Sequence, residues 1–192
     1  MTTERLEAFT DGVIAIIITV MLLEFKTPTG SSITDLQATW PLLVSYTLSY
    51  VNLGIYWNNH HHMFQAVEHL NGRVLWANLH LLFWLSMIPF ATNWASVSSY
   101  APTPVAIYGI VLLLAGAAYS LLTRALVSAN GKDSVFAKGL GSDTKGFASL
   151  IIYTIGVGVA HFQPYVAFGL YVVVAVMWFI PDRRFERARQ ES

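Results

Sequence analysis

The chain has no cysteine. Disulfides, thiolate catalysis and Cys-ligated metal centres are thereby excluded. Charge is scarce as well: 11% of the 192 residues are Asp, Glu, Lys or Arg, where a soluble domain carries roughly a quarter. There is no Gly-rich phosphate loop, and no nucleophile, base and orienting acid stand at catalytic spacing. No internal repeat and no soluble domain is visible, so the chain reads as one domain, 1–192, working within or beside a bilayer.

Apolar residues are what the chain has in quantity. Hydrophobic side chains make up 55% and aromatics 14%, and the mean hydropathy is +0.52. Many aromatics stand near the ends of apolar runs, where rings sit at headgroup level. These features predict an all-α integral membrane protein. Apolar runs of helical length, bounded by Pro, Gly and charge, place six spans near 9–25, 36–60, 74–95, 104–128, 147–162 and 164–181. Only His161-Phe-Gln-Pro164 separates the last two, which suits a short helical hairpin with Pro164 in the first turn of span six. The first run is read as a mature helix rather than a leader, because Glu4, Glu7 and Asp11 precede it and no small-x-small cleavage site follows.

Net charge is zero, so the placement of charge carries the information. With the N-terminus inside, Arg5, Arg73, Arg124, Lys132, Lys138, Lys145, Arg183, Arg184, Arg187 and Arg189 all fall on the cytoplasmic side, leaving Lys26 outside. Both termini are then cytoplasmic. The basic end from Arg183 to Arg189 abuts a membrane helix and reads as an anchor for anionic lipid, not as a nucleic-acid site.

The polar cluster that opens span one is the strongest functional signal. Arg5-x-x-x-Phe9-Thr10-Asp11-Gly12 runs straight into Val13 to Leu23. A carboxylate at the mouth of a membrane helix is expensive, so Asp11 needs a partner or water. Six residues put Arg5 and Asp11 about 240° apart around a helix, which forbids a simple i, i+4 pair. Their partners are expected at the cytoplasmic ends of spans two and three, among Trp57, Asn58, Asn59, His60, Trp76 and Asn78. Such a network locks helices together when every member is hydrogen-bonded, and a purely structural staple is a full account of it. Further along, Gly12, Ile16, Thr19 and Leu23 form one narrow stripe, with Ile14, Ile18, Met21 and Phe25 opposite. A small, mixed stripe fits tight helix packing or a water-filled path, and packing is the simpler of the two.

The opening signature resembles that of the endolysosomal potassium channel family (transmembrane protein 175) and its bacterial homologues. Tyr56-Trp57-Asn-Asn-His60-His61 ending span two, and Asn78 to Phe90 in span three, extend the likeness; Thr10 stands where serine is usual. The resemblance implies a bacterial homotetramer in the cell membrane, its central pore lined by the first helix of each subunit. It implies potassium as the permeant ion, no cofactor, no bound metal, and no enzymatic activity. By position, it places the constricting residue on Ile16, with Thr19 favouring potassium and Leu23 beyond it, while Arg5, Phe9, Thr10, Asp11, Gly12, Trp57, His60 and Asn78 set the helix.

Other motifs point elsewhere and are weaker. Thr154-Ile-Gly-Val-Gly158 looks like a carbonyl-lined potassium filter, but it lacks the flanking loop and reads as a glycine-containing helix. His60-His61-His62 invites a membrane metalloenzyme, yet three consecutive histidines point about 100° apart around a helix. A secondary transporter would use a helix broken near midplane, for which Pro89 is the one candidate, without a matching half. Gly109 and Gly116 read as packing residues in span four.

Overall fold

A computed structural model describes residues 2–28, 30–37, 39–140 and 143–179, and among them every regular element is helical. The helices are α1 (Thr3–Leu23), α2 (Ile33–Gln37), α3 (Trp40–Phe64), α4 (Gly72–Ser86), α5 (Ile88–Val97), α6 (Pro102–Asn130), α7 (Val135–Leu140), α8 (Thr144–Ala160) and α9 (Pro164–Phe179). The residue ranges expected for six spans overlap α1, α3, α4 with α5, α6, α8 and α9. α1, the α4–α5 stretch and α6 are each long and apolar enough to cross a bilayer, and α8 and α9 are shorter apolar helices. The basic segment Arg183 to Arg189 lies outside the described residues.

Helix ends follow local chemistry. α1 starts earlier than the first apolar run because the Thr2 hydroxyl caps it, accepting from the Arg5 backbone N–H at 3.3 Å. α3 starts later than residue 36 and ends later than 60. Pro41 belongs in a first turn, where its missing N–H leaves no carbonyl unpaired, and Ile33–Gln37 close into the separate helix α2. Asn71 caps α4 through the Val74 N–H at 3.1 Å, and Asp143 caps α8 through the Gly146 N–H at 3.0 Å.

Pro89 does interrupt the third span. α4 ends at Ser86 and α5 starts at Ile88 with the proline in its first turn, while Met87 N–H and C=O carry the chain across through Trp84 and Ala91. Pro164 opens α9, and Thr154 to Gly158 lies inside the helix α8, not in an extended strand.

α6 is the central mast, packed by α4, α5, α8 and α9. α1 lies to one side against α3, α4 and α5. At the centre Tyr171 fills the space left by glycines: a Cβ on Gly109 or Gly156 would run into its ring or hydroxyl. Polar contacts tie the helices where lipid offers no hydrophobic drive for association. Ser49 of α3 bonds Thr92 of α5 at 2.7 Å and Tyr108 of α6 at 2.8 Å, all buried. The connection from α3 to α4 is pinned by Asn130, whose Oδ1 accepts from the Glu68 and His69 backbone N–H groups at 3.0 and 2.8 Å.

Candidate functional site

The signature at the start of α1 divides between two surroundings. Its buried part is Thr10, whose hydroxyl accepts from Asn78 Nδ2 at 2.9 Å, while Asn78 Oδ1 bonds His60 Nε2 at 2.9 Å. Because the Asn78 oxygen can only accept, the imidazole proton resides on His60 Nε2. His60 Nδ1 is then a lone-pair acceptor, buried with no partner among the described residues, and the ring stacks on Phe64 at 4.2 Å. This relay fastens α1 to α4 and α4 to α3. An unmade bond in it would strand a buried polar group, which costs about 1–3 kcal/mol.

The outer part is wetter. Asp11 accepts from Trp57 Nε1 at 3.0 Å, and Glu7 pairs with His61. His61 in turn bonds Gln65 at 2.8 Å and stacks beside Trp57 at 6.1 Å between centroids. The expected partners Trp57, His60 and Asn78 therefore meet the signature, while Trp76 is exposed on α4 and Asn59 donates back to the Ile55 carbonyl of its own helix. Arg5 and Phe9 are exposed, and the Arg5 side chain has no ion pair or hydrogen bond among the described residues.

Glu7, His61 and Gln65 are the participants that sequence reasoning missed. Glu7 stands four residues before Asp11 on the same helix face, the one signal that could have found it. The far end of α1 carries a second unforeseen tie, from Asn93 Nδ2 to the Glu24 carboxylate at 2.8 Å.

Between these two ties α1 is two-faced. Leu6, Thr10, Ile14, Ile17 and Met21 are buried against the bundle. Gly12, Ala15, Ile16, Thr19 and Leu23 are exposed, with Ile16 at 62% and Leu23 at 82%. The mixed stripe thus packs against nothing within its own chain. A Cβ on Gly12 would meet no atom within 4 Å, so nothing in the subunit requires glycine there. Thr19 donates its hydroxyl hydrogen to the Ile16 carbonyl at 2.9 Å, which leaves the hydroxyl lone pairs directed away from the helix backbone.

The consecutive histidines face different surroundings: His60 meets Asn78, His61 meets Glu7, and His62 lies tilted against His61. Among the described residues no three His, Asp or Glu side chains are grouped to hold a metal ion.

Fold and site together define a multi-pass helical membrane protein whose first helix is clamped at both ends and bare along one face. The family model described as endosomal/lysosomal potassium channel TMEM175 matches residues 5–89. A protein from Chryseobacterium sp. (strain P1-3), named a potassium channel, is 48% identical over 192 residues, the whole of both chains. The chain belongs to the TMEM175 family. A Streptomyces collinus protein, also named a potassium channel, is 32% identical over 62% of this chain and 61% of its own. Human TMEM175, named an endosomal/lysosomal proton channel, is 29% identical over 54% of this chain and 23% of its own. The crystal structure of a lysosomal potassium-selective channel TMEM175 homologue from Chamaesiphon minutus shares the fold, with a TM-score of 0.83 at 22% identity, covering 94% of this chain and 97% of the other.

Proposed function

We propose that this chain is the subunit of a potassium channel in a bacterial cell membrane. Four copies surround a pore lined by α1, and each crosses the bilayer six times, through α1, α3, α4 with α5, α6, α8 and α9, with both termini cytoplasmic. The observation that carries this reading is the bare stripe of Ile16, Thr19 and Leu23 on a helix fixed at both ends. The names of the bacterial relatives supply the ion.

A ring of Ile16 side chains forms a hydrophobic constriction that blocks ions by dewetting when narrow and conducts when wide. The Thr19 layer, one turn on, presents hydroxyl oxygens whose hydrogens are already committed to the helix. Such oxygens replace part of a cation's water shell, and a weakly hydrated ion such as potassium gives up that shell more readily. No carbonyl-lined filter and no cofactor takes part. Of the signature residues Arg5, Phe9, Thr10, Asp11 and Gly12, it is Thr10 and Asp11, with Trp57, His60 and Asn78, that set the position of α1, so the packing of α1 on α3 and α4 controls the width of the pore.

Reconstituted protein in proteoliposomes tests this with potassium and sodium flux for the wild type, Ile16→Asn and Thr19→Ala. Ile16→Asn is expected to raise flux of both ions, because a polar ring stays wet, and Thr19→Ala to lower the potassium-to-sodium ratio. Wild-type rate and selectivity in both variants would remove Ile16 and Thr19 from the conduction path. A pH-sensitive dye in the same vesicles reads proton flux, the activity in the name of the human relative.

A further inference from the structure

The end of α6 meets the start of α4 at one edge of the bundle. Asn130 Nδ2 donates to the His69 carbonyl at 3.1 Å and Asn130 Oδ1 accepts from the His69 N–H at 2.8 Å, so the last turn of α6 lies beside the connection into α4. There Asn71, Gly72, Arg73 and Trp76 from the start of α4, with Ser128 of α6, line an open cleft.

Helix length fixes the depth of this cleft in a bilayer. α6 has 29 residues, about 43 Å at 1.5 Å per residue, against a hydrocarbon core of roughly 30 Å. Centred on the core, it overshoots by about 6 Å at each end. Ser128, in the last turn, therefore lies at headgroup level, and so does the cleft that it shares with Arg73. Arg124 is exposed one turn deeper on the same face of α6 as Ser128. An arginine at the hydrocarbon boundary extends its stem so that the guanidinium returns to the headgroups.

Charge and apolar surface select the occupant. The chain from His69 to Lys132 contains Arg73, Arg124 and Lys132 and no acidic residue, so this corner of the fold complements an anion. Guanidinium forks match the oxygens of a phosphate. Trp76 is 75% exposed at the cleft, as an indole at the membrane interface is. One and two turns further along that face of α4, Leu79 and Phe83 are exposed as well. A phosphate held at the arginines thus has an apolar track beside it leading into the membrane, which fits a lipid and not a free ion.

We propose that this cleft binds an anionic phospholipid, its phosphate held by Arg73 and Arg124 and an acyl chain lying along Trp76, Leu79 and Phe83. The site does not rest on the pore reading; only its assignment to the cytoplasmic leaflet rests on the orientation given there.

Native mass spectrometry of the purified full-length protein in detergent, titrated with phosphatidylglycerol or with phosphatidylcholine of the same acyl chains, tests the site. Saturable binding that favours phosphatidylglycerol is expected. Arg73→Gln and Arg124→Gln should each weaken it about fivefold, the effect of one basic residue at an anionic surface. Lys138→Gln removes an exposed basic residue outside the cleft and should leave it unchanged. In wild-type protein, a diazirine-bearing phosphatidylglycerol should crosslink between residues 73 and 83. Equal binding of the two lipids, an equal loss in Lys138→Gln, or full binding in both arginine variants with their melting temperatures retained would each overturn the proposal. So would crosslinking confined to other segments, or displacement of the lipid by equimolar inorganic phosphate, which would assign a soluble anion. No flux is read, so failure here leaves the pore reading standing.

Discussion

Asn78 is the residue on which the placement of α1 turns, because it serves two buried partners on two other helices. Asn78→Ala leaves the His60 Nε2–H and the Thr10 hydroxyl unpaired at once, and is expected to lower stability by roughly 2–4 kcal/mol. Thermal unfolding in detergent checks this. Thr10→Ser keeps the acceptor oxygen and should lie close to the wild type, whereas Thr10→Val keeps the shape, loses the acceptor and should fall by about 1–2 kcal/mol. The order Ser, Val, Ala-at-78 separates hydrogen bonding from packing, since Val and Thr have nearly the same volume. The signature was legible in the sequence as a polar cluster with absent partners. Which of the six candidates would reach it was not, because a partner on another helix is fixed by how the helices cross.

At the scale of elements, glycine and proline set where helices stop and how closely they approach. Gly109 and Gly156 lie against Tyr171, and an alanine at either position must displace that ring. Gly109→Ala and Gly156→Ala are each expected to cost about 1–3 kcal/mol, and Tyr171→Leu in the same chain should recover part of the loss, read by thermal unfolding. The short helix α2 responds to pH instead. The Ser32 side chain and then its backbone N–H, the latter at 2.9 Å, hold the exposed Asp35 carboxyl below its ordinary value. A depressed carboxyl contributes its stability above its unfolded pKa and loses it as pH falls through the folded one. A spin label at Gln37 should therefore grow more mobile on acidification below about pH 4 and recover when the pH is raised. Unchanged mobility would mean that the Ser32–Asp35 turn does not hold α2. Pro89, read from sequence as a possible break, interrupts the third span at Met87, as the missing N–H of proline requires.

For the whole molecule, Gly12 separates the demands of the subunit from those of the assembly. Gly12→Ala meets nothing within the chain, so the monomer should fold and melt as the wild type does. If α1 faces the same helix of three other copies, the added methyl should instead alter the tetramer fraction in native mass spectrometry, or the flux. No change in either would leave Gly12 without a role in assembly. The sequence by itself determined the class of protein: apolar runs, scarce charge and prolines at helix starts follow from solvation and backbone sterics, which act locally. It also marked the two sides of α1, because helical periodicity alone sorts Ile14 and Met21 from Ile16, Thr19 and Leu23. Only the tertiary structure decided that the first side is buried and the second is bare, that Glu7 meets His61 and Glu24 meets Asn93, and that a basic cleft lies where the start of α4 meets the end of α6. Those outcomes depend on the relative rotation and crossing of helices far apart in the chain, and no spacing along the sequence encodes them.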